Sequence, residues 1–214
     1  MLKKFAGGFT LIEMLVVMAI IITLIGLLFP AINGMQERGK ITQDMNNLRQ
    51  LGLGTQTYLN DNDGAFFLPT DNWATKLHPK YLPSWKVFQS PFDKRTPSER
   101  DAAAPVSYGF NANAQGASNA PLLSEQVTNP SMFILFAPAQ DGSATVRFTG
   151  TSASSVTVNN TTARGGTHNR RRRIDACMAD LHVENLDWNT FKNDAQSTND
   201  PNAAQRWHPI SATP

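Results

Sequence analysis

The sequence predicts an α+β fold: one long N-terminal helix, its first half transmembrane, packed by its second half on a small antiparallel β-sheet head with long loops. Three observations predict it. Residues 14–32, MLVVMAIIITLIGLLFPAI, carry no charge and a single hydroxyl, that of Thr23. Residues 41–59 set apolar and small side chains along one helical stripe. Runs at 131–137, 173–179 and 182–186 are apolar or alternating and have the length of strands.

Composition bounds the function classes. A chain of 214 residues suffices for one ordinary domain with an appendage. The single cysteine, Cys177, excludes an internal disulfide and a cysteine-cluster metal site. A formal charge of +2 is too small for a protein organised around nucleic acid. The apolar residues crowd near the start, and the remainder is rather polar.

The first element is the apolar block. A helix of 19 residues spans about 28 Å, close to the ~30 Å hydrocarbon core of a bilayer. A buried globular helix normally keeps one polar face, and this one has none. Lys3 and Lys4 precede it, with no acid before Glu13, so this end is expected in the cytoplasm and the bulk of the chain across the membrane. A secretory signal fits poorly. Its apolar core would be about 7–15 residues and would end in a small-x-small site, whereas this block ends Phe29-Pro30-Ala31-Ile32-Asn33. Glu13 sits four residues into the apolar run that begins at Phe9, where an ionisable group is costly without a partner.

Gly7-Gly8-Phe9-Thr10-Leu11-Ile12-Glu13-Met14-Leu15-Val16-Val17 closely resembles the prepilin cleavage and methylation motif of type IV pilins and type II secretion pseudopilins. The resemblance implies a leader at 1–8, cut between Gly8 and Phe9 by a membrane aspartyl peptidase, and N-methylation of Phe9. It implies an assembly role for Glu13, whose carboxylate pairs with the Phe9 amine of a neighbouring subunit. Pro30 stands where pilin helices often kink. The chain then divides into a leader at 1–8, a transmembrane and assembly half of the helix at 9–32, an amphipathic half at 33–60, a globular head at 61–193 and a polar tail at 194–214. Loss of Lys3 and Lys4 from the 19 basic residues leaves 17, equal to the 17 acidic ones.

The second half of the helix follows from periodicity. Ile41, Met45, Leu48, Gly52, Thr55 and Leu59 recur at spacings of four and three, flanked by Leu51 and Tyr58. Lys40, Asp44, Asn47, Arg49 and Gln50 are placed on other faces. Gly34 and Gly39 weaken the junction by about 1 kcal/mol each relative to alanine. One long helix from about Phe9 to Leu59 is expected. Asn60-Asp61-Asn62-Asp63-Gly64 ends it as a turn. The EF-hand register fails there, with Leu59 and Thr70 at positions that need an acidic ligand.

A second resemblance covers the head. The stretch from Asn47 through Gly54 and Tyr58 to Pro69 is similar to a bacterial pseudopilin subfamily with a C-terminal H-x9-DG motif. Val87-Phe88-Gln89-Ser90-Pro91-Phe92-Asp93 matches its middle segment, with Ser90 in place of a cysteine. Ser107-Tyr108-Gly109-Phe110-Asn111 matches its next segment. The end departs from the pattern: eleven residues separate His168 from Asp180, and Leu181 replaces the glycine.

The remaining elements are read from pattern. Residues 131–137, SMFILFA, predict a buried strand, and 145–158 predict a polar hairpin or loop. Ile174, Ala176 and Met178 share one face of a strand, which turns near Asp180-Leu181 and returns over His182 to Leu186. The tail after Asn193 is polar and predicts an extended wrap or disorder.

Candidate chemistry in the head is sparse. His168 and His182 flank one predicted hairpin with Asp180 nearby, but the spacing demands no metal, and none is assigned. Cys177 reads as a small packing residue. Phosphate-loop, nucleophile-elbow, zincin and dinucleotide fingerprints are missing from the sequence. Arg170, Arg171, Arg172 and Arg173 form a candidate anion contact, with Arg164 nearby. Aromatic residues do not interleave them, so a solvated loop is favoured over nucleic acid, and a contact with an acidic neighbouring subunit stays open.

Together these features predict a structural subunit without catalysis and without a cofactor. The expected partners are copies of itself in a helical filament, minor pseudopilins, the prepilin peptidase, an inner-membrane assembly platform and membrane lipid. The expected site is the inner membrane, single-pass, with the N-terminus cytoplasmic and the head periplasmic, and then the filament of a type II secretion or type IV pilus-like system. The alternative is a binding pilin for DNA uptake or surface adhesion that uses the arginine run.

Overall fold

A computed structural model describes residues 8–93, 106–116, 120–139, 146–148, 166–188, 190–191 and 205–209, with backbone alone at 27–31, 33 and 146–148. Lys3 and Lys4, most of the 145–158 stretch and most of the tail lie outside the described residues. The chain divides into two compact units, Met1–Gly39 and Lys40–Pro214.

Helix α1 runs over Leu11–Asp61 and is continuous through Pro30. In the first unit its large apolar side chains, from Phe9 to Met35, are exposed wherever they are described. Among the described residues no helix is long and apolar enough to cross a membrane. Within the apolar window of the sequence, which runs to Ile32, the side chains of residues 27–31 lie outside the description.

The second unit is built on the amphipathic half of α1. Leu48, Leu51, Thr55, Tyr58 and Leu59 are buried, as the stripe requires. Asp44 and Asn47 are buried too, against the expectation that they lie on other faces. Steps of four and three lead from Asp44 through Leu48, Leu51 and Thr55 to Tyr58, so Asp44 shares their side of the helix. Gly54 explains a helix-weakening residue in mid-helix. A Cβ there would meet Leu82 Cγ at 2.8 Å, so the glycine lets Leu82 reach the helix backbone. The helix ends as a turn, where Gly64, with φ +76°, donates its N–H to Leu59 O at 2.8 Å. Lys80 pairs with Asp61 of that last turn at 2.8 Å.

Helix α2 is one short turn, Trp73–Leu77, capped by Asn72 Oδ1. The sheet has five strands in the order β3-β1-β2-β4-β5. They are β1 (Tyr108–Asn111), β2 (Ile134–Pro138), β3 (Val146–Phe148), β4 (Arg173–Met178) and β5 (Val183–Asp187). The four-stranded part β1-β2-β4-β5 is antiparallel throughout. β3 joins the β1 edge in parallel, so part of the stretch expected to be a hairpin or loop is an edge strand. β1 lay in a segment singled out by resemblance and not by strand pattern. Four residues with a central glycine give too little alternation to read.

Both faces of the sheet are covered, which is why β2 reads as continuously apolar rather than alternating. One face carries Phe110, Phe136 and Cys177 against Leu48, Leu51, Phe67, Trp73 and Phe88. The other carries Ile174, Ala176 and Met178, the face predicted from alternation, against Trp188, Phe191 and Trp207. The bulk of the second layer therefore comes from the end of the chain. Trp207 is fully buried and meets Phe191 edge to face at 5.0 Å. Its carbonyl accepts from Asn111 and Asn113, and Pro209 O accepts from Thr128 N. The described part of the tail is thus docked as a short helical turn and not as a loose extended wrap. The polar composition around Trp207 hid this.

Candidate processing and assembly site

The first residues of α1 show why the local sequence starts a helix there. Thr10 Oγ1 accepts from Glu13 N at 3.3 Å, and Glu13 Oε2 accepts from Thr10 N at 2.8 Å. This reciprocal pair is a capping box, Thr-x-x-Glu, which satisfies two N–H groups that the first turn leaves without partners. Thr10 Oγ1 also donates to the same carboxylate oxygen at 2.7 Å. The Thr-Leu-Ile-Glu spacing made this legible in the sequence, beside the reading of Glu13 as a charge that needs a partner.

Around this cap the surface is apolar. Phe9 is 79% exposed and Leu11 83%. Gly8 and Thr10 are exposed beside them. A peptide bond between Gly8 and Phe9 is therefore sterically open on the Gly8 side, where a Cβ would meet nothing within 4 Å. Thr23, the one hydroxyl of the block, donates to Ile20 O at 2.8 Å and so adds no unsatisfied group to the apolar face. A continuous exposed apolar surface of this extent needs cover from lipid or from other chains.

The head residues singled out in the sequence are not gathered into one place. Asp180 and His182 pair at 2.5 Å on the exposed turn between β4 and β5. His168 is buried and stacks on Phe92, with ring centroids 5.4 Å apart. Among the described residues no group of three His, Cys, Asp or Glu side chains forms a set that could hold a metal ion. Burial pushes the Cys177 thiol up to about 12, so it stays protonated and packs as a small apolar side chain.

The arginine run forms a left-handed turn, with φ of 48°, 55° and 66° at Asn169, Arg170 and Arg171. It is tied by the N–H groups of Arg172 and Arg173 to His168 O at 3.1 and 3.3 Å. Arg170 and Arg172 are exposed. Arg171 Nε donates to Gly166 O at 3.3 Å, and Arg173 holds Asn185 with both Nε and Nη2. Two of the four guanidinium groups thus serve the fold.

A polar site that the sequence reading missed surrounds Asp44. Ser90 Oγ donates to Asp44 Oδ1 at 2.6 Å and Tyr108 OH at 2.7 Å. The segments quoted for the second resemblance, 87–93 and 107–111, therefore converge on one helix residue. An aspartate at the stripe's own register was the signal that could have found it. Burial, followed by the Asp44 charge, pushes the Tyr108 hydroxyl well above its ordinary value.

Among known proteins, the family model of the prokaryotic N-terminal methylation motif matches residues 3–29. No curated protein and no solved structure matches the chain. Residues 3–29 thus carry the prepilin-type cleavage and methylation signature of type IV pilins and pseudopilins, on the part of the chain where an exposed apolar helix begins with Thr10 and Glu13.

Proposed function

We propose that the chain is a structural pilin-like subunit, cut between Gly8 and Phe9 by a prepilin peptidase, N-methylated at Phe9 and assembled into a filament. The observation that carries this reading is the methylation motif at 3–29. The exposed apolar face that follows it supports the reading, because that face needs a bilayer before assembly and neighbouring subunits afterwards. Residues 9–32 cross the inner membrane once, with Lys3 and Lys4 cytoplasmic and the head periplasmic. Glu13 binds the Phe9 amine of the next subunit, and Pro30 supplies a kink. The partners are further copies, minor pseudopilins, the prepilin peptidase and the assembly platform of a type II secretion or type IV pilus-like machine. The role is structural, without catalysis.

The arginine run favours this over a binding pilin for DNA uptake or adhesion, because Arg171 and Arg173 already have partners within the fold. Mass spectrometry of membrane-extracted protein tests the proposal. The expected terminus is Phe9, carrying one methyl group. An intact Met1, or a cut beyond residue 30, overturns it.

A further inference from the structure

The amphipathic half of α1 meets β4 through two carboxyl groups. Asp44 on α1 and Asp175 on β4 are both fully buried. Asp44 Oδ1 accepts from Ser90 and Tyr108, and Asp175 Oδ1 accepts from Asn185 Nδ2 at 2.5 Å. The second oxygen of each, Asp44 Oδ2 and Asp175 Oδ2, has no donor among the described residues. The two side chains lie within hydrogen-bond reach of each other.

Among the described residues, no neighbour supplies these two oxygens with a hydrogen. Arg173 only donates, so the atom of Asn185 that faces its Nε is Oδ1. The Asn185 amide nitrogen then points to Asp175 and to His168 Nε2, which is 2.6 Å away and must accept. That fixes His168 as a neutral ring protonated at Nδ1, 3.0 Å from Thr167 Oγ1. His168 lies 4.0 Å from Asp175 Oδ1 and, in this tautomer, brings no charge. The titratable or charged groups around the pair are Tyr108 from β1, His168 from the segment before β4, and Arg173 on β4 itself. α1 adds the amide of Asn47, which donates to Gln89 O at 2.9 Å, and β5 adds that of Asn185.

Two buried oxygens that both only accept repel each other when both groups are ionised, and one hydrogen satisfies both. A divalent cation would need several more oxygen ligands, and no such set surrounds the pair among the described residues. We propose that Asp44 and Asp175 bind a single proton between them, and that this shared proton is a pH-operated clamp holding the amphipathic half of α1 on the sheet. Burial is the main cause raising both carboxyl groups above their ordinary range. A group raised in the folded state stabilises the fold at low pH and loses that contribution as pH rises through its folded value. The clamp is therefore closed in mild acid and weakens through neutrality into mild alkali.

The test uses the full chain in detergent micelles. Infrared spectroscopy should find a protonated-carboxyl C=O band near pH 6 that fades as pH is raised to about 9 and is missing from Asp175→Asn. Thermal melting of the wild type should fall by several degrees over about pH 5 to 9, while Asp175→Asn, whose amide supplies the missing donor to Asp44, should flatten that slope. If Asp175→Asn does not fold, Asp44→Asn and the wild-type infrared titration decide the matter. A wild type with no protonated carboxyl near pH 6, or a variant with the wild-type melting slope, overturns the clamp. Neither result bears on where the leader is cut.

Discussion

The two halves of α1 handle buried-type chemistry in opposite ways. Along 41–59 the chain supplies its own cover: Leu48 and Leu51 are fully buried, and Asp44 meets Ser90, Tyr108 and Asp175. Along 9–26 the described apolar side chains are exposed, and the one carboxylate, Glu13, is held by Thr10 among the described residues. The same secondary structure is thus self-sufficient in one half and incomplete in the other. The methylation motif indicates assembly into a pilus-like filament, in which neighbouring subunits would cover the first half.

The largest expected effect removes the charge from the incomplete half. Glu13→Val should leave membrane insertion and cleavage intact, since it deletes a costly group from an apolar helix. Entry into filaments should fall by about tenfold or more if, as proposed, Glu13 pairs with the Phe9 amine of the neighbour. Co-expression with wild type, followed by comparison of membrane and sheared fractions, measures this. Equal incorporation of both chains would show that Glu13 is needed only to start the helix, and the incomplete half would then be completed by apolar packing alone.

A smaller effect probes the self-sufficient half. Trp207 is fully buried on the sheet face opposite α1 and anchors the described end of the chain. Trp207→Ala should cost about 3–5 kcal/mol, as large aromatic deletions in cores do. Urea denaturation followed by the fluorescence of the remaining tryptophans measures it. A loss below about 1 kcal/mol would mean that the second sheet face does not need its cover. Processing at Gly8 should be unchanged in this variant, since the cut lies in the other unit.

How much of this was legible in sequence differs between the halves for the same reason. Local signals carried the motif, the helix, the β4–β5 hairpin and the apolar run of β2, since each depends on residues a few positions apart. Asp44 is placed off the stripe by sequence because its partners Ser90, Tyr108 and Asp175 lie 46 to 131 positions away, and no local pattern encodes them. Trp207 was missed because its neighbours in sequence are polar, while Phe191, which it meets edge to face, and Ile174, Ala176 and Met178 of the same buried cluster are distant in sequence. The hairpin-or-loop reading of 145–158 did not contain the parallel pairing of β3 with β1, because an edge strand of three residues needs only backbone pairing. The arginine run was legible as charge but not as a left-handed turn, since that turn is imposed by its ties to His168 and Gly166.

The smallest expected effect separates two roles that Glu13 holds at once. Within one chain it closes a capping box with Thr10; in a filament it is proposed to meet the Phe9 amine of another chain. Thr10→Ala removes the cap and leaves the carboxylate, and loss of an N-cap costs about 0.5–2 kcal/mol. That loss is confined to the first turn, so amide hydrogen exchange in micelles should quicken at residues 10–14 and stay unchanged from Leu48 onward. Filament entry should drop only slightly, because the charge that meets the neighbouring amine is still present. The pair of variants then reads the comparison directly. If Thr10→Ala impairs assembly as severely as Glu13→Val, the carboxylate acts by holding its own helix end, and the subunit contact in the apolar half is made by side chains such as Phe9 and Leu11. If Glu13→Val fails and Thr10→Ala assembles, the carboxylate acts between chains, and the first half of α1 is completed by charge as well as by apolar cover.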